Sequence, residues 1–343
     1  MAKSESGALE RLKTALKDGT AARLYLFHGE ENYLRRYYLD ALKKLLVPEG
    51  FEAFNYHCME GRGLAIQQLA DAVEAMPMMA EHTLVVVVDL DLYKLDERGR
   101  NQMIELLEDI PPYCTLVFSY EQIPFKRDAK MKKLTAALAQ AEVVEFARQE
   151  RTQLLRWVKK RFAALGHEID PVTADHLLFT CGTLMNGLVG EIEKIGAYAS
   201  GRDITVADID AVAEPVLDAR IFDMTNRITA GKYDDAARVL GDLLRMQTEP
   251  IAILSAVGKE LRRLYTARLA LESGKDRFWL KDLWNMSSDY PAKLLLQAAQ
   301  RVDGAWCRHA IRRCQVLDRR MKSERNMDAE AELKQYIMEL AVR

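Results

Sequence analysis

The sequence has no phosphate-binding loop, although the segment RLYLFHGEENYLRR, Arg23 to Arg36, has the outline of one. A short apolar strand turns at Gly29 and enters a helix rich in aromatic, Leu and Arg residues, the layout of a first βα unit in a nucleotide-binding domain. A working loop needs G-x-x-x-x-G-K-[ST], so that backbone amides wrap the phosphates, Lys offsets their charge and the hydroxyl holds magnesium. Here Gly29 is followed by Glu30 and Glu31, whose charges repel a triphosphate. The Gly-Lys pairs elsewhere, Gly231-Lys232, Gly258-Lys259 and Gly274-Lys275, have no Gly five residues before and no Ser or Thr after. The reading is a motor-type scaffold without its motor.

Other absences narrow the class. Five cysteines, Cys58, Cys114, Cys181, Cys307 and Cys314, are scattered without a CxxC, which suits a reducing compartment better than a disulfide framework. Cys307, His309 and Cys314 do not make a zinc site, because seven residues of helix rise about 10 Å, too far for two sulfurs of one tetrahedral ion; buried thiols on a helix face are expected instead. The histidines show no H-E-x-x-H, and no Ser or Cys sits in G-x-S-x-G, so hydrolytic chemistry is unsupported. The start MAKSESGALERLK has no apolar core, and the longest apolar strip, Leu84 to Val88, is too short to span a bilayer. A cytoplasmic protein with no membrane association, no metal and no cofactor is expected. The net charge of -2 argues against a dedicated nucleic-acid coat, though local basic faces remain open.

What is present is a change of pattern along the chain. Up to about Glu145, β-rich runs near Leu24, Phe51 (FEAFNY), Thr83, Thr115 and Glu142 alternate with helical stretches such as NYLRRYYLDALKKLL and RNQMIELLEDI. That alternation predicts a mainly parallel sheet with crossover helices, and the VVVV run fits a strand buried on both faces. Beyond Ala147 only helical periodicity remains, punctuated by Asp170-Pro171, a capping box at Thr205–Asp208, and boundaries at Glu214-Pro215, Glu249-Pro250 and Tyr290-Pro291. Divisions near Ala147 and Val212 follow, giving an α/β N-terminal domain over 1–146 and two all-α domains over 147–212 and 213–343.

Three clusters invite function. AMPMMAEH places Met76, Pro77, Met78 and Met79 between a helix ending near Ala75 and a strand starting near Thr83, an apolar connection where polar residues are usual. Methionines recur on surfaces that enter a partner's apolar pocket, and the alternative is that they cap the core below. Asp89 and Asp91 sit at a strand end where a hydrolase keeps its magnesium-linked acid; without a phosphate loop the reading is a solvated strand exit. Ser119 and Tyr120 end the next strand with no catalytic claim. Lys126, Arg127, Lys130, Lys132 and Lys133 form a basic cluster at and just inside a predicted helix start, open to DNA phosphate contact, to a neighbouring subunit, or to solvent alone.

YLFHGEENYL, GLVGEIEKIGAYA with ITVADIDAV, IFDMTNRITAGKYDDAARVL and EPIAILSAVGKELRRLY, taken in order, resemble the delta subunit family of the bacterial DNA polymerase III clamp loader. The resemblance implies an AAA+-like (RecA-like) sheet domain, a small helical lid and a helical collar, without ATP hydrolysis. It implies a first domain that grips the sliding clamp (beta) and helps open it. It also implies a collar that joins the ATPase (gamma/tau) and delta-prime subunits, around primer-template DNA. Met78 and Met79 fall where the family's clamp-contacting wedge carries a Leu-Phe type pair, and Asp318, Arg319, Arg320 and Lys322 match a polar stretch of its collar. Two other classes stand beside this: an ATP-binding AAA+ ATPase with an unusual loop, and a helical DNA-binding adaptor.

Overall fold

The computed structural model describes residues 2–324 and 326–340, and divides them into two units, Met1–Gln149 with Leu184–Asn186, and Glu150–Thr183 with Gly187–Arg343. The first unit carries strands β1 (Leu24–His28), β2 (Tyr56–Glu60), β3 (Thr83–Val88), β4 (Cys114–Ser119) and β5 (Glu142–Glu145). They form one sheet in the order β2-β3-β4-β1-β5, all neighbours parallel. Its helices are α1 (Ala2–Asp18), α2 (Asn32–Leu46), α3 (Glu52–Asn55), α4 (Ile66–Glu74), α5 (Glu97–Glu108) and α6 (Lys132–Ala137).

The sheet is covered on both sides, which is why its central strands need no polar alternation. Leu24, Leu26, Val85, Val87, Leu116 and Phe118 point to one side, against Leu69 and Val73 of α4, Met103 and Leu107 of α5, and Leu134 of α6. Tyr25, Phe27, Leu84, Val86 and Val117 point to the other, against Ala8 and Leu12 of α1 and Leu42 and Leu46 of α2. Each buried Val or Leu contributes about 1.5–3 kcal/mol.

One strand differs from expectation. FEAFNY is not extended: after Pro48 and Gly50, at φ +86°, Phe51 to Asn55 turn into α3, with Phe54 N and Asn55 N donating to Phe51 O at 3.1 Å. The strand begins only at Tyr56, which pairs with Leu84. The helix expected at the basic cluster likewise starts late, at Lys132, and leaves Lys126, Arg127 and Lys130 in the preceding connection.

The second unit is helical, apart from an isolated bridge between Ile169 and Ile204. It contains α7 (Arg151–Ala164), α8 (Pro171–Cys181), most of α9 (Met185–Ala199), α10 (Val206–Val212), α11 (Leu217–Thr229) and α12 (Tyr233–Arg245). It continues with α13 (Pro250–Glu272), α14 (Arg277–Leu283), α15 (Tyr290–Ala299), α16 (Gly304–Ser323) and α17 (Ala329–Glu339). The caps read from sequence are in place. Asp170 accepts from Val172 N and Thr173 N ahead of Pro171, and Thr205 and Asp208 form their reciprocal box. Burial of Cys307 and Cys314 on α16 is also as expected, in two different apolar clusters. Of the polar stretch on α16, Arg320 reaches Glu332 of α17 through two 2.8 Å bonds and Lys322 pairs with Asp318, both contacts internal to the fold; Arg325 lies outside the described residues. Among the described residues no helix is long and apolar enough to cross a membrane.

α13 is the spine of this unit. Its Ile253, Leu254, Val257 and Leu261 enter one cluster with α11, α12, α16 and α17, and its Leu264, Ala267 and Ala270 enter a second with α14 and α15. At Gly258 a Cβ would stand 2.9 Å from Cys314 Sγ, so glycine permits the close crossing of α13 and α16. The same helix buries Glu260, and desolvation pushes its carboxyl up to about 7. The raised value means that the group stabilises the fold below its unfolded value near 4 and loses that contribution as pH rises through about 7. Glu260→Gln is therefore expected to raise stability by about 1–3 kcal/mol at pH 8 and by little at pH 4.5. Urea titrations at the two pH values test this, and an equal change at both would overturn it.

Candidate functional site

The methionine connection is exposed and held. Met76, Met78 and Met79 are 81%, 51% and 75% exposed, so these side chains do not cap the core. Phe54 of α3, next to Asn55 in the chain, is 50% exposed. α4 ends at Glu74, three residues before Pro77, and Tyr113 Oη donates to Glu74 O at 2.8 Å. Met79 takes a left-handed backbone, φ +54°, uncommon for an unbranched apolar residue.

The turn is fixed by Asn55, which is fully buried. Asn55 Nδ2 donates to Met78 O at 2.8 Å, and Met78 N donates to Asn55 Oδ1 at 2.8 Å. The same amide nitrogen lies 3.2 Å from Phe51 O within its own turn. One buried side chain thus satisfies both backbone groups of Met78 and shapes an otherwise unsupported loop. Sequence reasoning missed Asn55; the available signal was an Asn inside a supposed strand, where that residue is disfavoured.

The connection after β1 occupies the place where such a sheet would receive a nucleotide, outside the carboxyl end of the strand at the start of the next helix. It is closed by the protein itself. Gly29 lies at φ +120°, and Glu31 N donates to Phe146 O at 2.9 Å, so an amide that would face a phosphate already has a partner. Arg35, fully buried in the first turn of α2, donates to Gly29 O at 3.0 Å and to Asn32 Oδ1. A guanidinium spent on the loop's own carbonyl holds the turn shut.

The strand-end acids are structural, and Asp89 is not merely solvated as the sequence suggested. At φ +56° its Oδ1 accepts from Glu121 N at 2.7 Å, Gln122 N at 3.0 Å and Ile123 N at 3.3 Å, which staples the end of β3 to the connection after β4. Asp91 accepts from Tyr93 N at 3.2 Å and pairs with Lys94 at 2.9 Å. Ser119 and Tyr120 are buried, and desolvation pushes the Tyr120 phenol far up. Among the described residues no group of three acids, histidines or cysteines could hold a metal ion. Lys126, Arg127, Lys130, Lys132 and Lys133 are all exposed, Arg127 lies over the Phe125 ring at 5.9 Å, and none of the five pairs with a carboxylate among the described residues.

Fold and site together define a class: a parallel α/β unit of nucleotide-binding layout whose phosphate position is self-filled, with an exposed apolar loop, followed by helical bundles. Residues 25–147 match the DNA polymerase III delta subunit family, and residues 218–340 match the C-terminal domain of that subunit. The chain is 24% identical over 345 residues to DNA polymerase III subunit delta of Bacillus subtilis, covering 96% of each. It is 23% identical over 272 residues to the probable delta subunit of Aquifex aeolicus, covering 77% of this chain and 76% of that one. The solved Bacillus subtilis DNA clamp loader delta protein shares the fold, with a TM-score of 0.52 at 21% identity over 97% of this chain and 99% of that chain. The chain belongs to the DNA polymerase III delta subunit family.

Proposed function

We propose that the chain is the non-hydrolysing delta component of a replicative clamp loader, binding a sliding clamp through Met76, Pro77, Met78 and Met79. The observation that carries this reading is an apolar loop kept in solvent by a buried hydrogen-bonded clasp. Exposed apolar side chains on a shaped loop fit a partner's apolar pocket. Binding favours the sprung form of the ring only by as much as the loop prefers it over the closed form. In this reading residues 147–212 form the lid, and the collar over 213–343 joins the ATPase (gamma/tau) and delta-prime subunits. The exposed Lys126, Arg127, Lys130 and Lys133 offer phosphate contacts to primer-template DNA inside the assembled ring, or a face for a neighbouring subunit. Cytoplasmic localisation goes with that role. The self-filled loop after β1 is what speaks against an ATP-binding enzyme.

The test is co-elution of the purified chain with the host's sliding clamp on gel filtration, with and without the ATPase subunits. A chain that ignores the clamp in both conditions refutes the reading, and micromolar ATP binding by the isolated chain would favour the enzyme. Asn55→Ala probes the clasp. It should weaken clamp binding about 3- to 10-fold at low temperature, where the variant is still folded, since one or two hydrogen bonds no longer order the loop. Unchanged affinity would show that the clasp does not shape the binding surface.

A further inference from the structure

Glu31 is fully buried at the N-cap of α2, where the Tyr33 amide of that helix pulls on its carboxylate, but it does not spend both oxygens there. Oε2 instead accepts from Met185 N at 3.2 Å, in the segment Leu184–Asn186 that belongs to the first unit, and Oε1 is buried without a partner. The carboxylate thus stands at the beginning of α2, where backbone amides favour an anion, and takes the Met185 amide of the Leu184–Asn186 segment as well.

We propose that Glu31 is a resident stand-in for a nucleotide phosphate: planted at the start of α2, its carboxylate latches the segment Leu184–Asn186 onto the α/β unit without any ligand. Three observations support this. The position is the one where a nucleotide-binding sheet presents a phosphate, and the loop around it is otherwise closed by Arg35 and Phe146. The carboxylate is expensive there, since burial pushes its protonation value up despite the pull of the Met185 and Tyr33 amides and of Arg148. A neutral side chain of the same shape would be easier to bury, so packing alone does not account for a carboxylate at this place. The latch to Met185 is also weak in its geometry, since that bond is 3.2 Å long and Oε1 is buried unmatched.

The experiment is hydrogen exchange on the full chain, read at the peptide containing Met185, for the wild type, Glu31→Ala and Glu31→Gln. Glu31→Ala should exchange that amide about tenfold faster or more, since a hydrogen bond to a charged acceptor contributes about 1.5–3 kcal/mol. Peptides of β3 and β4 should be unchanged. Inorganic phosphate, entering the vacated space, should slow the Met185 amide again in this variant but not in the wild type. If Glu31→Ala does not fold, Glu31→Gln decides. It should melt higher at pH 8, because the buried charge is gone, while its Met185 amide exchanges faster, because a neutral acceptor holds less well. A residue with a merely structural role would move both readouts in the same direction. Unchanged exchange at Met185, or fast exchange in Glu31→Ala that phosphate leaves untouched, would overturn the proposal.

Discussion

Replacing Met78 and Met79 together by Asp is expected to reduce affinity for the host's sliding clamp by at least about 100-fold, with a melting temperature within about 2 °C of the wild type. Burying a Met side chain stabilises an association by about 1.5–3 kcal/mol, so losing two already approaches the size of a modest interface's whole affinity. The new carboxylates would also have to leave water for an apolar pocket, which is costlier than the loss of contact alone. The fold should be indifferent. Both side chains are exposed, the clasp from Asn55 grips only the backbone of Met78, and Asp tolerates the left-handed conformation of Met79 better than most residues. Calorimetry or surface plasmon resonance on the pair, with thermal melts of the variant alone, reads both quantities. An affinity within threefold of the wild type would remove these methionines from the contact.

Gly29→Ala should be a heavily damaging single methyl, costing about 3–5 kcal/mol. A Cβ there would lie 2.4 Å from Phe146 O, 2.7 Å from its carbonyl carbon and 2.8 Å from its nitrogen, all backbone atoms with nowhere to turn. The φ of +120° is strained for any L side chain as well, so alternatives to moving β1 away from the exit of β5 are closed. Gly19→Ala is the control, since at φ +73° it has strain but nothing within 4 Å, and it should cost only about 1 kcal/mol. Denaturant titrations of both compare them directly. A Gly29→Ala variant losing less than the control would mean that β1 and β5 can separate without penalty.

The sheet was legible because its signals are local. β-branched runs marked β3 and β4, an amphipathic repeat marked α2 from Asn32 to Leu46, Asp170-Pro171 marked the start of α8, and Glu249-Pro250 that of α13. The exposed methionines could be singled out for the same reason, as apolar residues between a helix end and a strand start. What was not legible depends on pairs far apart in the chain. Asn55 matters because of Met78, Asp89 because of the amides of 121–123, and Glu31 because of Met185. No pattern of period 2 or 3.6 reports such partners. FEAFN misled by composition: its aromatic residues suit a strand, but a turn at Phe51 and the demand for the Asn55 amide at the neighbouring loop outweigh that preference. The basic run placed its helix too early for a similar reason, since charge says little about where a helix starts.

The clasp that Asn55 closes on Met78 has a kinetic meaning. A tip that keeps its shape in the free protein has little freedom left to surrender on docking, so the encounter does not wait for the tip to organise. Differences between one ring and another would then appear in how long the complex survives rather than in how fast it forms.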